Sequence, residues 1–239
     1  MKLDLERANK YARMSDIAYK DGDEAKKEYE KLGWTNHIFL ENNGAQCHVV
    51  WSKDDMGICF RGTEPTELSD VLADLNVLPK KSMTDGWVHS GFRGELDKLW
   101  SHIEPIASEY NDKKLYVCGH SLGAAMATIC TSRIEEFRTV EELYTFGSPR
   151  AGTRSFVKEI KTRHWRFVNN NDVVTTVPLA LMGYKHHGNL VYINHYGKIR
   201  KMTLWQRIKD KFRGWRSGLL DGVKDHGMPN YVDYTVKEG

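Results

Sequence analysis

Lys114-Leu115-Tyr116-Val117-Cys118-Gly119-His120-Ser121-Leu122-Gly123-Ala124-Ala125 decides the reading of this chain. Leu115 to Cys118 is a short apolar run of strand character, and Leu122 to Phe137 is rich in alanine with helical spacing. Between them lies a Gly-x-Ser-x-Gly turn. A strand-to-helix turn this tight holds its central serine in a strained backbone conformation, and its glycines remove side chains that would clash. The serine hydroxyl then emerges at a helix N-terminus, where backbone N–H groups and the helix dipole favour developing negative charge. Ser121 is therefore the candidate nucleophile.

The surrounding pattern places that turn in an α/β architecture. Helical periodicity is read over residues 3–19, 23–32, 92–110, 122–137 and 154–163. Short strands are read at 48–51, 57–60, 115–118, 143–146, 164–168 and 190–193. Alternation of this kind predicts a mainly parallel central sheet covered by helices, as in the α/β-hydrolase fold. No linker or repeat divides the 239 residues, so one domain over 1–239 is expected. Mean hydropathy is −0.57 and no apolar run is long enough to span a membrane. The first twenty residues lack the apolar core of a secretory signal, which points to the cytoplasm. The four cysteines show no metal-type spacing. Cys118 and Cys130 read as buried small hydrophobes. A turn at Asp54-Asp55 would pair Cys59 with Val50 and put Cys47 on the opposite face, which disfavours a disulfide.

A serine needs a base, and the base needs an orienting acid. On this type of sheet the order along the chain is serine, acid, histidine. Asp172 follows the strand ending near Val168 through an asparagine-rich turn and is the candidate acid, although a turn-capping aspartate reads the same way. Of ten histidines, chain order leaves His186, His187, His195 and His226. His186 and His187 have no carboxylate or cysteine at ligand spacing and read as loop or packing residues. His226, in a loop-like stretch, and His195, just after a strand, both remain.

Seven ordered blocks extend the pattern. They are Met14 to Tyr19; Phe60-Arg61-Gly62-Thr63; Val88 to Phe92; Gly119 to Gly123; Phe146 to Gly152; Asn171-Asp172 through Pro178; and Asp225-His226 with Tyr231. From Ala12 to Tyr231 the chain resembles the class 3 lipases, the family of lidded filamentous-fungal triacylglycerol lipases. The resemblance implies a serine carboxylic-ester hydrolase acting on lipid esters through Ser121, Asp172 and His226, and it chooses His226 over His195. Phospholipase A1 or short-chain carboxylesterase activity on the same site, or a silent lipid-binding member of the fold, are the alternatives. The resemblance also implies backbone oxyanion donors at Thr63 and Leu122 and a lid over 64–78 with an apolar stripe of Leu68, Val71, Leu72 and Leu75. An ordinary surface helix would show the same stripe. Arg61 and Asp74 are expected to pair, and His89 and Arg150 to be structural. Ala124 departs from the glycine usual in many members. No metal or organic cofactor is implied.

The charge is unevenly spread. Residues 196–220 carry eight basic residues against Asp210, in a chain of net charge +3. Leu204, Trp205, Ile208, Phe212, Trp215 and Leu219 recur there at helical spacing. Two readings compete: peripheral docking on an anionic lipid surface, and packing of the aromatic stripe on the core. No motif for nucleic-acid recognition accompanies the segment. Oligomeric state is not legible.

Overall fold

The computed structural model describes residues 2–63, 79–200, 203, 205–206 and 224–236. The candidate lid residues Leu68, Val71, Leu72 and Leu75 lie outside the described residues, as do Asp74 and most of the basic segment.

The central sheet has seven strands in the order β1-β2-β3-β6-β7-β9-β11. They are β1 (Asn36–Asn42), β2 (Ala45–Trp51), β3 (Asp55–Phe60), β6 (Lys114–His120), β7 (Glu142–Phe146), β9 (Arg163–Asn169) and β11 (Asn189–Ile193). The first three run antiparallel, and β3 through β11 are parallel. Parallel neighbours require crossovers, and of the six helices among the described residues the third to the fifth lie within them, while the first two precede the sheet and the last follows it. The helices are α1 (Leu5–Ile17), α2 (Gly22–Lys31), α3 (Ser90–Glu109), α4 (Leu122–Ile134), α5 (Arg154–Glu159) and α6 (Met228–Val236). A small antiparallel sheet, β10-β8-β5-β4, lies apart; its strands are β4 (Pro79–Lys81), β5 (Trp87–His89), β8 (Gly152–Thr153) and β10 (Tyr184–Lys185).

The period of two in the strands builds two cores. Val49, Ile58, Phe60, Leu115 and Val117 face α3 and α4. Their neighbours Val50, Cys59, Tyr116 and Cys118 face α1, with Met228 and Tyr231 of α6 in the same cluster. Small side chains let α4 press between the sheet and α3, where every residue from Gly123 to Ile134 is buried. Buried Glu142 ties α1 to the sheet, accepting from Arg7 at 3.1 Å, Tyr144 Oη at 2.6 Å and Trp165 Nε1 at 3.1 Å.

Three expectations needed correction. The turn between β2 and β3 is Lys53-Asp54, not Asp54-Asp55, because Ser52 N–H donates to Asp55 O at 2.9 Å. Cys59 therefore pairs with His48 rather than Val50; Cys47 still belongs to the other face, and all four cysteines are free. The helix after Arg154 stops at Glu159, since Arg163 already begins β9. Edge strand β1 and the small sheet went unread: β1 is only half-buried along its length, so its sequence lacks clear alternation. Among the described residues no helix is long and apolar enough to cross a membrane.

Candidate active site

The carboxyl ends of β3, β6, β7 and β9 deliver Thr63, Ser121, Gly147 and Asp172 to one edge of the sheet. Ligand sites of open parallel sheets form at this edge. Ser121 sits between β6 and α4 with φ +55° and ψ −128°. A side chain other than glycine pays for this conformation, and the surroundings hold it there. Ser121 N–H donates to Phe146 O at 3.0 Å, and Ser121 O accepts from Ala124 N at 3.0 Å. Gly123 lets the helix start against the end of β3, since a Cβ there would collide with Phe60 O and Arg61 O.

Asp172 is fully buried and its carboxylate is saturated. His226 Nδ1 lies 3.0 Å from both of its oxygens. Tyr231 Oη donates to Oδ2 at 2.5 Å, and Val174 N–H donates to Oδ1 at 3.0 Å. With a carboxylate as its partner, Nδ1 carries the proton. His226 Nε2 is buried without a hydrogen-bond partner among the described residues and is the nitrogen left to act as a base. Gly147, at φ +58°, allows the pair to approach the main chain: a Cβ there would lie 2.7 Å from Asp172 Oδ2 and 2.8 Å from His226 Nδ1. Burial, and then the adjacent Asp172 charge, push the Tyr231 phenol well above its ordinary range, so it remains a donor.

The asparagine-rich turn does more than present Asp172. Asp225 Oδ2 accepts from Asn171 N–H at 3.1 Å and Asn170 Nδ2 at 3.2 Å, and Asn169 Nδ2 donates to Asp225 O at 2.9 Å. The loop bearing the acid is thereby stapled to the loop bearing His226. Neither Asp225 nor Tyr231 has a sequence signal of its own beyond its place beside the histidine.

The remaining sequence candidates fall as follows. Thr63 and Leu122 line one cavity of about 280 Å³ with Gln46, Arg61 and Met126. Arg61 Nη1 donates to Gln46 Oε1 at 2.6 Å. His195 is exposed in the turn after β11 with its ring against Tyr196, whereas His226 is buried with Nδ1 on Asp172. His186 Nε2 contacts Thr175 O at 2.9 Å, and His187 Nδ1 contacts His164 Nδ1 at 3.1 Å. His89 accepts from Phe92 N–H at the start of α3. Arg150 donates to the carbonyls of Thr176 and Pro178.

Comparison with known proteins places this geometry. The lipase from Rhizopus microsporus var. chinensis superposes with a TM-score of 0.65 at 21% identity, covering 79% of this chain and 74% of that one. The Rhizomucor miehei triacylglyceride lipase gives 0.65 at 22%, covering 79% and 80%. The fold is that of the α/β-hydrolases. In sequence, the chain is 41% identical to Toxin TseL of Vibrio cholerae over 193 residues, 61% of this chain and 30% of that protein. It is 28% identical to the secreted mono- and diacylglycerol lipase MDL2 of Malassezia globosa over 196 residues, 72% of this chain and 64% of that protein. It thus spans less than two thirds of either relative. The family model for Lipase (class 3) matches residues 57–182, more than half of the chain and the stretch that holds Thr63, Ser121 and Asp172, and the chain belongs to the class 3 lipase family.

Proposed function

We propose that this protein is a serine carboxylic-ester hydrolase that acts on lipid esters. The observation that carries the reading is the buried Asp172–His226 pair at the sheet edge that also bears the strained Ser121. In the reaction, His226 Nε2 takes the proton of Ser121 Oγ as the oxygen attacks the ester carbonyl. Asp172 holds the imidazolium that forms. The tetrahedral oxyanion is received by the N–H groups of Thr63 and Leu122, each worth about 3 kcal/mol in such a site. Collapse breaks the ester C–O bond, and the alcohol leaves with the proton from His226. Water, deprotonated by the same nitrogen, then attacks the acyl-Ser121 ester and regenerates the hydroxyl.

Two proteins that this chain resembles are described as acting on mono- and diacylglycerols or on triacylglycerides. Acylglycerols are accordingly the substrate class proposed here. Peripheral contact with anionic lipid is proposed through the connection after β11, where Tyr196 is 67% and Trp205 74% exposed beside Lys198 and Arg200. The core test is hydrolysis of p-nitrophenyl esters together with fluorophosphonate labelling. Ser121→Ala should abolish labelling and lower kcat by at least about a thousandfold. Undiminished hydrolysis in that variant would overturn the assignment. A series of acyl-chain lengths, read below and above substrate solubility, separates lipase from short-chain esterase.

A further inference from the structure

His226 stands in a turn, so no strand or helix fixes its main chain. Its carbonyl instead meets a side chain from the nucleophile's own strand. His120 is the last residue of β6, is buried, and has Nε2 at 2.7 Å from His226 O. A carbonyl only accepts, so His120 Nε2 carries a proton. The same ring's Nδ1 lies 2.7 Å from Tyr19 Oη. In the neutral ring that nitrogen is an acceptor, and the Tyr19 hydroxyl donates to it. The two partners together force one tautomer. The His120 ring also stacks on the His226 ring, with centroids 4.4 Å apart and planes inclined by 29°. Burial, and next the neighbouring His226, hold the His120 pKa well below the usual histidine range, so no second cation lies against the base.

We infer that Tyr19 and His120 are positioning residues for the base: through the His226 carbonyl and the stacked ring they fix the plane in which Nδ1 faces Asp172 and Nε2 stays uncommitted. The inference rests on the assignment of Ser121, Asp172 and His226 as the reacting triad. Its physical content is that the base is gripped from three sides. Asp172 holds Nδ1, the asparagine turn holds Asp225, and His120 holds the carbonyl and ring face. Tyr19, just beyond α1, keeps the grip in register by fixing the His120 tautomer. Small displacements of a reacting group cost large rate factors, on the order of a hundredfold for about 1 Å.

The test compares Tyr19→Phe, His120→Phe and His120→Gln. Phenylalanine at position 120 keeps the stacked ring but loses both hydrogen bonds. Glutamine offers an amide N–H to the His226 carbonyl and an oxygen to Tyr19. Tyr19→Phe and His120→Phe should lower kcat on a soluble ester roughly ten- to a hundredfold with KM nearly unchanged. The downfield proton resonance of His226 Nδ1–H should broaden or vanish in both. His120→Gln should recover most of kcat. Glu142→Gln, which weakens the fold far from this edge, serves as the stability control and should keep kcat and the resonance. Wild-type kcat and resonance in both phenylalanine variants would overturn the inference. If His120→Phe fails to fold, Tyr19→Phe decides alone. Ser121→Ala separates the two claims: activity surviving there refutes the triad, whereas its loss beside fully active Tyr19→Phe refutes only the positioning role.

Discussion

Tyr231 donates its hydroxyl to Asp172 Oδ2 at 2.5 Å while accepting from Asn169 N–H at 3.1 Å, so one phenol joins α6, the end of β9 and the acid of the site. A hydrogen bond to a buried carboxylate is worth about 1.5–3 kcal/mol. Tyr231→Phe removes it and leaves the Asn169 amide without its acceptor. The expected result is a fall in kcat of about tenfold with KM little changed, and a lower Tm by thermal melt. An unchanged kcat would show that His226 and Val174 suffice to hold Asp172.

Asp225 makes a second, separable prediction. Its side chain accepts from Asn170 and Asn171, and its carbonyl from Asn169. Asp225→Ala keeps the carbonyl contact and loses the other two. The His226 loop should loosen, which lowers kcat and slows fluorophosphonate labelling of Ser121 by similar factors of about ten. Both donors share Oδ2, so Asp225→Asn can place its one amide oxygen there, accepting from both without the charge, and should lie between. Equal labelling rates in all three proteins would refute the staple.

Several of these relationships could not be read in advance, and the reasons are physical. Ser121 and Asp172 could be read as candidates because a strand-turn-helix and a fixed chain order constrain them, whereas chain order left His226 beside His195 and only the resemblance to the class 3 lipases chose between them. Tyr231, Asp225 and His120 act through tertiary approach between segments far apart in sequence. Tyr19 meets His120 101 positions later, and His120 meets His226 106 positions later. No local pattern encodes such a meeting. The same holds for the asparagines: Asn169, Asn170 and Asn171 look like ordinary turn residues until Asp225 is placed beside them. The β2–β3 register differed from expectation because Lys53-Asp54 and Asp54-Asp55 are equally plausible two-residue turns, and the pairing of Ser52 with Asp55 chooses between them.

Buried neutral histidines set an acid limit on stability. Burial lowers the pKa of His164, and His187, Arg166 and His186 add to the effect. Burial likewise lowers His186 and His187, and takes His48 down to about 3. Each folded-state value lies below the unfolded value of about 6.5. The unfolded chain therefore binds more protons as pH falls, and stability rises with pH across this window. The stabilisation is full above about pH 6.5 and is lost progressively below it, at up to roughly 1.4 kcal/mol per pH unit for each such group. Thermal melts should show Tm falling from pH 7 to pH 5. His164→Gln, which removes one of these groups, should flatten the slope even if it lowers Tm at pH 7. A Tm constant across that range would contradict the assignment.

The final prediction concerns the proposed lipid contact. Tyr196 and Trp205 are exposed, with Lys198 and Arg200 close in sequence, and the connection they belong to leaves β11 at the same sheet edge as Asp172 and returns to the chain at Lys224, two residues before His226. Aromatic rings suit the lipid headgroup level, and each basic residue near an anionic surface contributes about 1 kcal/mol. Vesicles containing phosphatidylglycerol should therefore carry the protein in flotation, more weakly as salt is raised, while phosphatidylcholine vesicles should not. Lys198→Glu with Arg200→Glu should weaken flotation by one to two orders of magnitude yet leave hydrolysis of a soluble ester unchanged, because both side chains are exposed and neither contacts Asp172, His226 or Ser121. Equal flotation of the double variant and the parent would remove these two residues from the contact. Equal partition onto both kinds of vesicle would replace electrostatic docking with insertion of the exposed aromatics.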